Sequence, residues 1–200
     1  MNTSDHMGLR ERKIAKAKIA VQAVAFRMFA EQGYAETTVE QIAAAAEISP
    51  RTFFRYFHTK EAIVLYDSID SVVVEAFVAQ SPKLTPIMAM RNAIKEAYGG
   101  LTPEGQEQEL QRFRLLGSMP HLQHKLFARA VFSINLFTEL IAEKTQLDIN
   151  DLRVSNFAGA LVGVLVAVIQ RAYSQPSIAA IEHEFDIALA HFEKNWRYDF

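Results

Sequence analysis

Between Thr37 and Lys60 the chain reads TTVEQIAAAAEISPRTFFRYFHTK, with two arginines set among hydroxyl and aromatic side chains. A guanidinium in the first turn of a helix can offer two N–H donors to the O6/N7 edge of guanine, a contact worth roughly 1–3 kcal/mol of discrimination. Arg51 is the residue placed to do this. Pro50 and Phe54 are candidates for apolar contact with thymine methyl groups. Ser49, Thr52, Tyr56 and Lys60 are donors of the kind that hold phosphate oxygens, joined by Thr38 one element earlier, while Arg55 suits either a base or a phosphate. Phe53 and Phe57 are expected to face inward.

The elements that must position these side chains are marked by their caps. Thr38 with Gln41 three residues on is a capping box. Ser49 is an N-cap followed by Pro50 at the first helical position, where the missing N–H is not needed. Ala43 to Ala46 give the backing helix a small inner face. Two short helices joined by a tight turn, the second cationic and aromatic, form the build that carries one helix end into the DNA major groove. A preceding helix is expected from about Arg10 to Gln32, capped by Gly33. Its Arg10, Arg12, Lys13, Lys16 and Lys18 read either as a solvated helix end or as an arm along phosphate.

The remaining chain is helical in pattern throughout. A fourth helix is expected from Thr59 to about Ala79, followed by helices after Thr85 and Thr102, a long one over His121–Lys144, one capped by Asp148 or Asn150, and a last one to about Trp196. No strand pattern or repeat interrupts them. The fold expected is all-α, with about nine helices, a helix-turn-helix domain over residues 1–58 and a larger domain over 59–200. Of 200 residues, 50% are hydrophobic and 22% charged, a globular composition, and the absence of cysteine excludes disulfides and thiolate chemistry. No apolar signal core opens the chain, so a cytoplasmic protein is expected. Residues 1–60 carry nine Lys/Arg against six Asp/Glu, whereas 61–200 carry twelve against seventeen. A cationic head on an acidic body is expected where only the head meets phosphate.

Thr38, Ile42, Ala43, Ala46, Ile48, Ser49, Thr52, Phe53, Tyr56, Phe57 and Lys60 stand at the spacing of the DNA-binding segment of TetR-family repressors, which residues 10–65 resemble. The segment departs from that pattern at Glu47, where the family has a turn glycine, and at Phe54, where a tyrosine is common. A turn without glycine needs either another backbone or a positive φ at a residue that resists it. The resemblance implies a homodimer on a palindromic operator and a small apolar or amphipathic ligand that disfavours DNA binding. It implies no cofactor. Two-fold symmetry independently requires half-sites about 34–36 Å apart, or a multiple. The mechanism expected is that ligand entry among the middle helices moves the fourth helix and so alters the spacing of the two heads.

Phe113, Met119, Phe127, Phe132 and Phe137 are the residues expected at the ligand site, with core packing as the plainer reading of each. Arg112, Arg114, His121, His124 and Lys125 stand near them as partners for an anionic tail. The run Ala158–Ile169 is apolar on every side, which calls for cover on every side. At twelve residues it is too short to span a bilayer. Gly159, Leu161, Val162, Leu165, Val166, Ile169, Ile181 and Phe185 are therefore expected at a dimer interface, the alternative being a wholly intramolecular core. His121 and His124 lack further ligands at useful spacing, so no metal site is expected. No nucleotide-binding glycine loop or nucleophile motif is present, which argues against an enzyme. The rival on the same scaffold is an architectural or cell-division factor that binds DNA without an effector.

Overall fold

The computed structural model describes residues 9–174 and 176–195, without the side chains of Leu9, Glu11, Arg12 and Phe127. Every regular element among them is a helix: α1 (Leu9–Gln32), α2 (Val39–Ala45), α3 (Pro50–Tyr56), α4 (Lys60–Leu65), α5 (Ile69–Ala79), α6 (Pro86–Gly99), α7 (Pro103–Ser118), α8 (Pro120–Thr145), α9 (Leu152–Ala172) and α10 (Ile178–Asn195). Side-chain caps set most of the starts. Thr38, Ser49, Thr59, Thr85 and Thr102 each accept a hydrogen bond from a backbone N–H three residues on. The cap of α9 is Asp151 rather than Asp148 or Asn150, because Asp148 is occupied in a local turn with the Asn150 N–H. The end expected at Trp196 lies outside the described residues.

The fourth helix is the main departure. It is two helices, α4 and α5, separated at Tyr66–Ser68, and this is why ten helices are found where about nine were expected. Tyr66 leaves α4 with ψ 118°, and the buried Gln22 amide of α1 donates to the carbonyls of Ile63 and Tyr66 at 2.7 Å each. These bonds add to that of the Tyr66 N–H, which reaches the Ile63 carbonyl at 3.3 Å and closes the last turn of α4. The signal was present in Asp67-Ser68, residue types favoured at a helix start. The expected single lever from residue 59 to 79 is thus interrupted.

The chain divides into two compact units, the first ending at Ser68 and the second beginning at Ile69. The first therefore extends ten residues past the boundary expected at 58, since α4 is tied to α1. Its core is Val21, Phe26, Phe29, Ile42, Phe53, Phe57, Ile63 and Val64, all buried. Lys60, at the start of α4, points its ammonium into the α1–α2 connection, donating to the carbonyls of Tyr34 at 2.7 Å and Thr37 at 2.8 Å. The same ammonium lies 4.3 Å from the Tyr34 ring centroid. The Tyr34 hydroxyl is buried with no hydrogen-bond partner among the described residues. Burial, and then the nearby Glu61 carboxylate, push its pKa up to about 12.

In the second unit α6 packs against α5 and α10, and α9 against α8 and α10. The shared core runs through Phe77, Met90, Phe113, Ile141, Phe157, Leu161, Ile181 and Phe185. α9 is 21 residues long, so by length and composition it meets the requirement for a membrane span that its twelve-residue apolar run does not. Its Val154, Phe157, Ala158, Leu161, Val162, Val168 and Ala172 are nonetheless buried in the protomer, as in the core helix of a globular unit. At the end of α7, a Cβ on Gly117 would sit 2.7 Å from the Tyr173 carbonyl, so only glycine permits this approach.

Within α7, Glu109 and Arg112 are both buried and pair through two bonds, Arg112 Nε to Glu109 Oε2 at 2.8 Å and Nη2 to Oε1 at 2.6 Å. Arg112 is therefore engaged internally and is not the free partner for an anionic tail that its sequence position offered. Removing one member of such a pair strands a buried charge. Arg112→Leu should cost about 3–5 kcal/mol in urea denaturation, and Glu109→Leu/Arg112→Leu should recover most of that loss. A single variant within about 1 kcal/mol of wild type would mean the pair is not desolvated. Lys60→Met, which strips charge-assisted bonds from two carbonyls, should lower stability by about 2 kcal/mol in the same assay. An unchanged midpoint would leave Lys60 without this structural role.

Candidate nucleic-acid interface

The turn between α2 and α3 keeps the shape of a glycine turn with no glycine in it. Glu47 takes φ 53°, in the left-handed region. Its N–H bonds to the Ala44 carbonyl at 3.1 Å, and the Ile48 N–H reaches the Ala43 carbonyl at 2.9 Å. This paired closure is the Schellman arrangement, which satisfies two carbonyls at the end of α2. Holding a side chain at that φ costs roughly 1–2 kcal/mol. Of the two possibilities open at this departure, the positive φ is the one adopted. The capping box expected at Thr38 is present: Gln41 N–H donates to Thr38 Oγ1 at 3.2 Å, and the Thr38 N–H donates to Gln41 Oε1 at 2.8 Å.

On α3 the inward and outward faces separate cleanly. Phe53 and Phe57 are 0% and 2% exposed, whereas Ser49, Pro50, Arg51, Phe54 and Arg55 are exposed and Thr52 and Tyr56 half-buried. Ser49 Oγ accepts from the Thr52 N–H at 3.1 Å and lies 3.0 Å from Thr52 Oγ1. One hydroxyl hydrogen is used between the two, so the pair retains one O–H for an outside acceptor. Arg51, the second residue of α3, has no hydrogen bond or ion pair among the described residues. Phe54 packs edge-on against Phe53, with centroids 5.6 Å apart.

Lys60 does not join this group. Its donors are committed to the Tyr34 and Thr37 carbonyls, so the phosphate role expected for it gives way to a structural one. The basic run of α1 also divides. Lys18 is turned inward, 5.7 Å from the Phe57 ring and 5.1 Å from the Tyr66 ring. Arg10 and Lys13 instead line a groove of about 520 Å³ with Ile14, Arg55 and Tyr56. Nothing in the spacing of Ile14 marked it in advance, and Tyr56 was marked only for its hydroxyl. Their pairing depends on how α1 crosses α3.

The residues expected at the ligand site are not brought together as one set. Phe113 is buried against Tyr173, with centroids 6.0 Å apart, and Phe137 against Phe77 at 5.8 Å. Phe132 is 74% exposed on α8 and lines no interior, because it falls on the outward side of that helix with Val131. Met119 caps α7, and the side chain of Phe127 lies outside the described residues. The dimer set divides as well. Leu161, Val162, Ile181 and Phe185 are buried in the protomer core and have no surface to offer a partner. Gly159, Leu165, Val166 and Ile169 remain partly exposed.

Residues 22–66 match the family described as bacterial regulatory proteins, tetR family, and residues 84–197 match the MftR C-terminal domain. The HTH-type transcriptional regulator TcmR of Streptomyces glaucescens is 29% identical over 198 residues, spanning 94% of this chain and 88% of TcmR. Among solved structures, Thermus thermophilus FadR, a TetR-family repressor in complex with lauroyl-CoA, aligns at TM-score 0.53 and 22% identity, over 92% of this chain and 96% of that one. NalD of Pseudomonas aeruginosa, the secondary repressor of the MexAB-OprM multidrug efflux pump, aligns at 0.51 and 16%, over 92% and 99%. These two structures share the fold. With more than half its length matched by the C-terminal domain and its helix-turn-helix by the N-terminal one, the chain belongs to the TetR family of bacterial regulatory proteins.

Proposed function

We propose that the protein is a homodimeric transcriptional repressor that reads a palindromic operator through α3 and is released by a small apolar or amphipathic effector. The observation that carries the reading is the state of Arg51. Among the described residues it is a partnerless guanidinium, on the exposed tip of a helix whose opposite face is locked by Phe53 and Phe57. In the mechanism proposed, Arg51 takes a guanine edge, Pro50 and Phe54 lie against thymine methyls, and Thr38, Ser49, Thr52 and Tyr56 grip phosphates. Ser49 and Thr52 are already oriented by their mutual bond, so little entropy is lost when the strand arrives.

The homodimer is supported by α9. Only 33% of its most apolar stretch is buried in the protomer. A Cβ added at Gly159 or Gly163 would meet nothing within 4 Å. A helix apolar all round with an open glycine face is suited to close approach by a second copy, which covers what the protomer leaves bare. The interface proposed is Gly159, Gly163, Leu165, Val166 and Ile169. The effector is proposed to lodge among the middle helices of the second unit. It would favour release only through unequal affinity for the two states of the dimer.

Arg51→Ala should lose roughly 1–3 kcal/mol of preference for the operator over a scrambled duplex, while affinity for the scrambled duplex falls little. Equal discrimination by variant and wild type would remove Arg51 from base reading. Gly163→Leu, which fills the open face without touching the protomer core, should shift the dimer to monomer in sedimentation velocity. A variant that stays dimeric at wild-type concentrations would place the interface elsewhere.

A further inference from the structure

The groove between the start of α1 and the end of α3 has a composition that the proposed base-reading role does not use. Of the five described residues that line it, three are cations, Arg10, Lys13 and Arg55, and none is a carboxylate. All three are exposed, whereas Ile14 and Tyr56 are half-buried. Charge therefore stands at the rim, and the floor is an aliphatic side chain and a phenol ring. The Arg55 guanidinium lies 5.3 Å from the Tyr56 ring centroid, so the ring helps fix where that charge sits. Among the described residues no acidic partner neutralises any of the three.

Clustered like charges raise the local potential and attract a polyanion. The complement to a cationic rim over a hydrocarbon floor is a chain whose charges alternate with apolar units. A nucleic-acid strand has that build, with phosphates separated by deoxyribose rings. We propose that this groove holds one backbone strand of the duplex beside the bases that α3 faces. Arg10, Lys13 and Arg55 contact its phosphates, and Ile14 and the Tyr56 ring pack against the sugar between them. The assignment rests on the DNA-binding reading above and adds a grip separate from Arg51. It also places Arg55 on the backbone rather than on a base edge. Lys18, spent on the Phe57 and Tyr66 rings, takes no part.

Phosphate contacts are indifferent to sequence and supply nearly all non-specific affinity, so the test needs no known operator. The full-length protein and an Arg10→Gln/Lys13→Gln variant are titrated with a random-sequence duplex of about 30 base pairs across a salt series. Each lost phosphate contact lowers the slope of log affinity against log salt by about 0.9. The variant should therefore show a slope smaller by about two units, with an unchanged thermal midpoint, since both side chains are exposed. A shared slope in a wild type that binds overturns this assignment alone. A wild type that binds no duplex at low salt overturns the DNA-binding reading with it. Inorganic pyrophosphate is titrated in parallel. Tight binding of pyrophosphate that the duplex does not displace would assign the groove to a soluble anion and overturn the strand assignment.

Discussion

A seven-residue helix has no stability of its own in water, because nucleating a helix costs more than so few hydrogen bonds return. α3 exists because Phe53 and Phe57 are driven out of water on one side, and the polar tip opposite them is held in place as a consequence. The burial of these two rings is what the recognition surface depends on. Around them, Gln22 pairs the carbonyls at the end of α4 and Lys60 pairs those of the α1–α2 connection, so the platform beneath α3 leaves few polar groups unmet. The strained Glu47 sits in the turn that fixes α3 against α2. Its cost of roughly 1–2 kcal/mol is tolerable only because that packing over-determines the backbone.

The α9 helix faces the opposite demand. Its most apolar stretch is only partly buried in its own protomer, and its Gly159 and Gly163 face open space. In the first unit apolar burial serves to hold still a surface that must stay wet. In the second, leftover apolar surface is what a second copy would take up. Self-association and duplex recognition in this reading thus draw on one driving force, used inward at α3 and outward at α9.

Much of this was legible in the sequence where the determinants are local. The caps at Thr38, Ser49, Thr85 and Thr102 depend on neighbours three residues away, and each forms as its residue type indicates. The inward placement of Phe53 and Phe57 follows from helical spacing. Several of the errors share a cause, which is that they depend on contacts distant in sequence. Lys60 looked like a phosphate donor until the Tyr34 and Thr37 carbonyls, more than twenty residues away, came within reach of its ammonium. Gln22 ends α4 from more than forty residues off. Leu161, Val162, Ile181 and Phe185 had the right apolarity for an interface, but which face of an all-apolar helix turns inward is set by its neighbours and not by its own residues. The Asp67-Ser68 break was local and visible, and was outweighed by the apolar spacing on either side of it.

The central claim is that the N-terminal tip of α3 enters the major groove twice per dimer. Dimethyl sulfate tests this on a bound operator duplex, since it modifies guanine N7 in the major groove and adenine N3 in the minor groove. The predicted result is protection of guanine N7 in two stretches centred about 34–36 Å apart, or a multiple of that spacing, as two-fold symmetry requires. Protection confined to adenine N3, or to one stretch only, would contradict it.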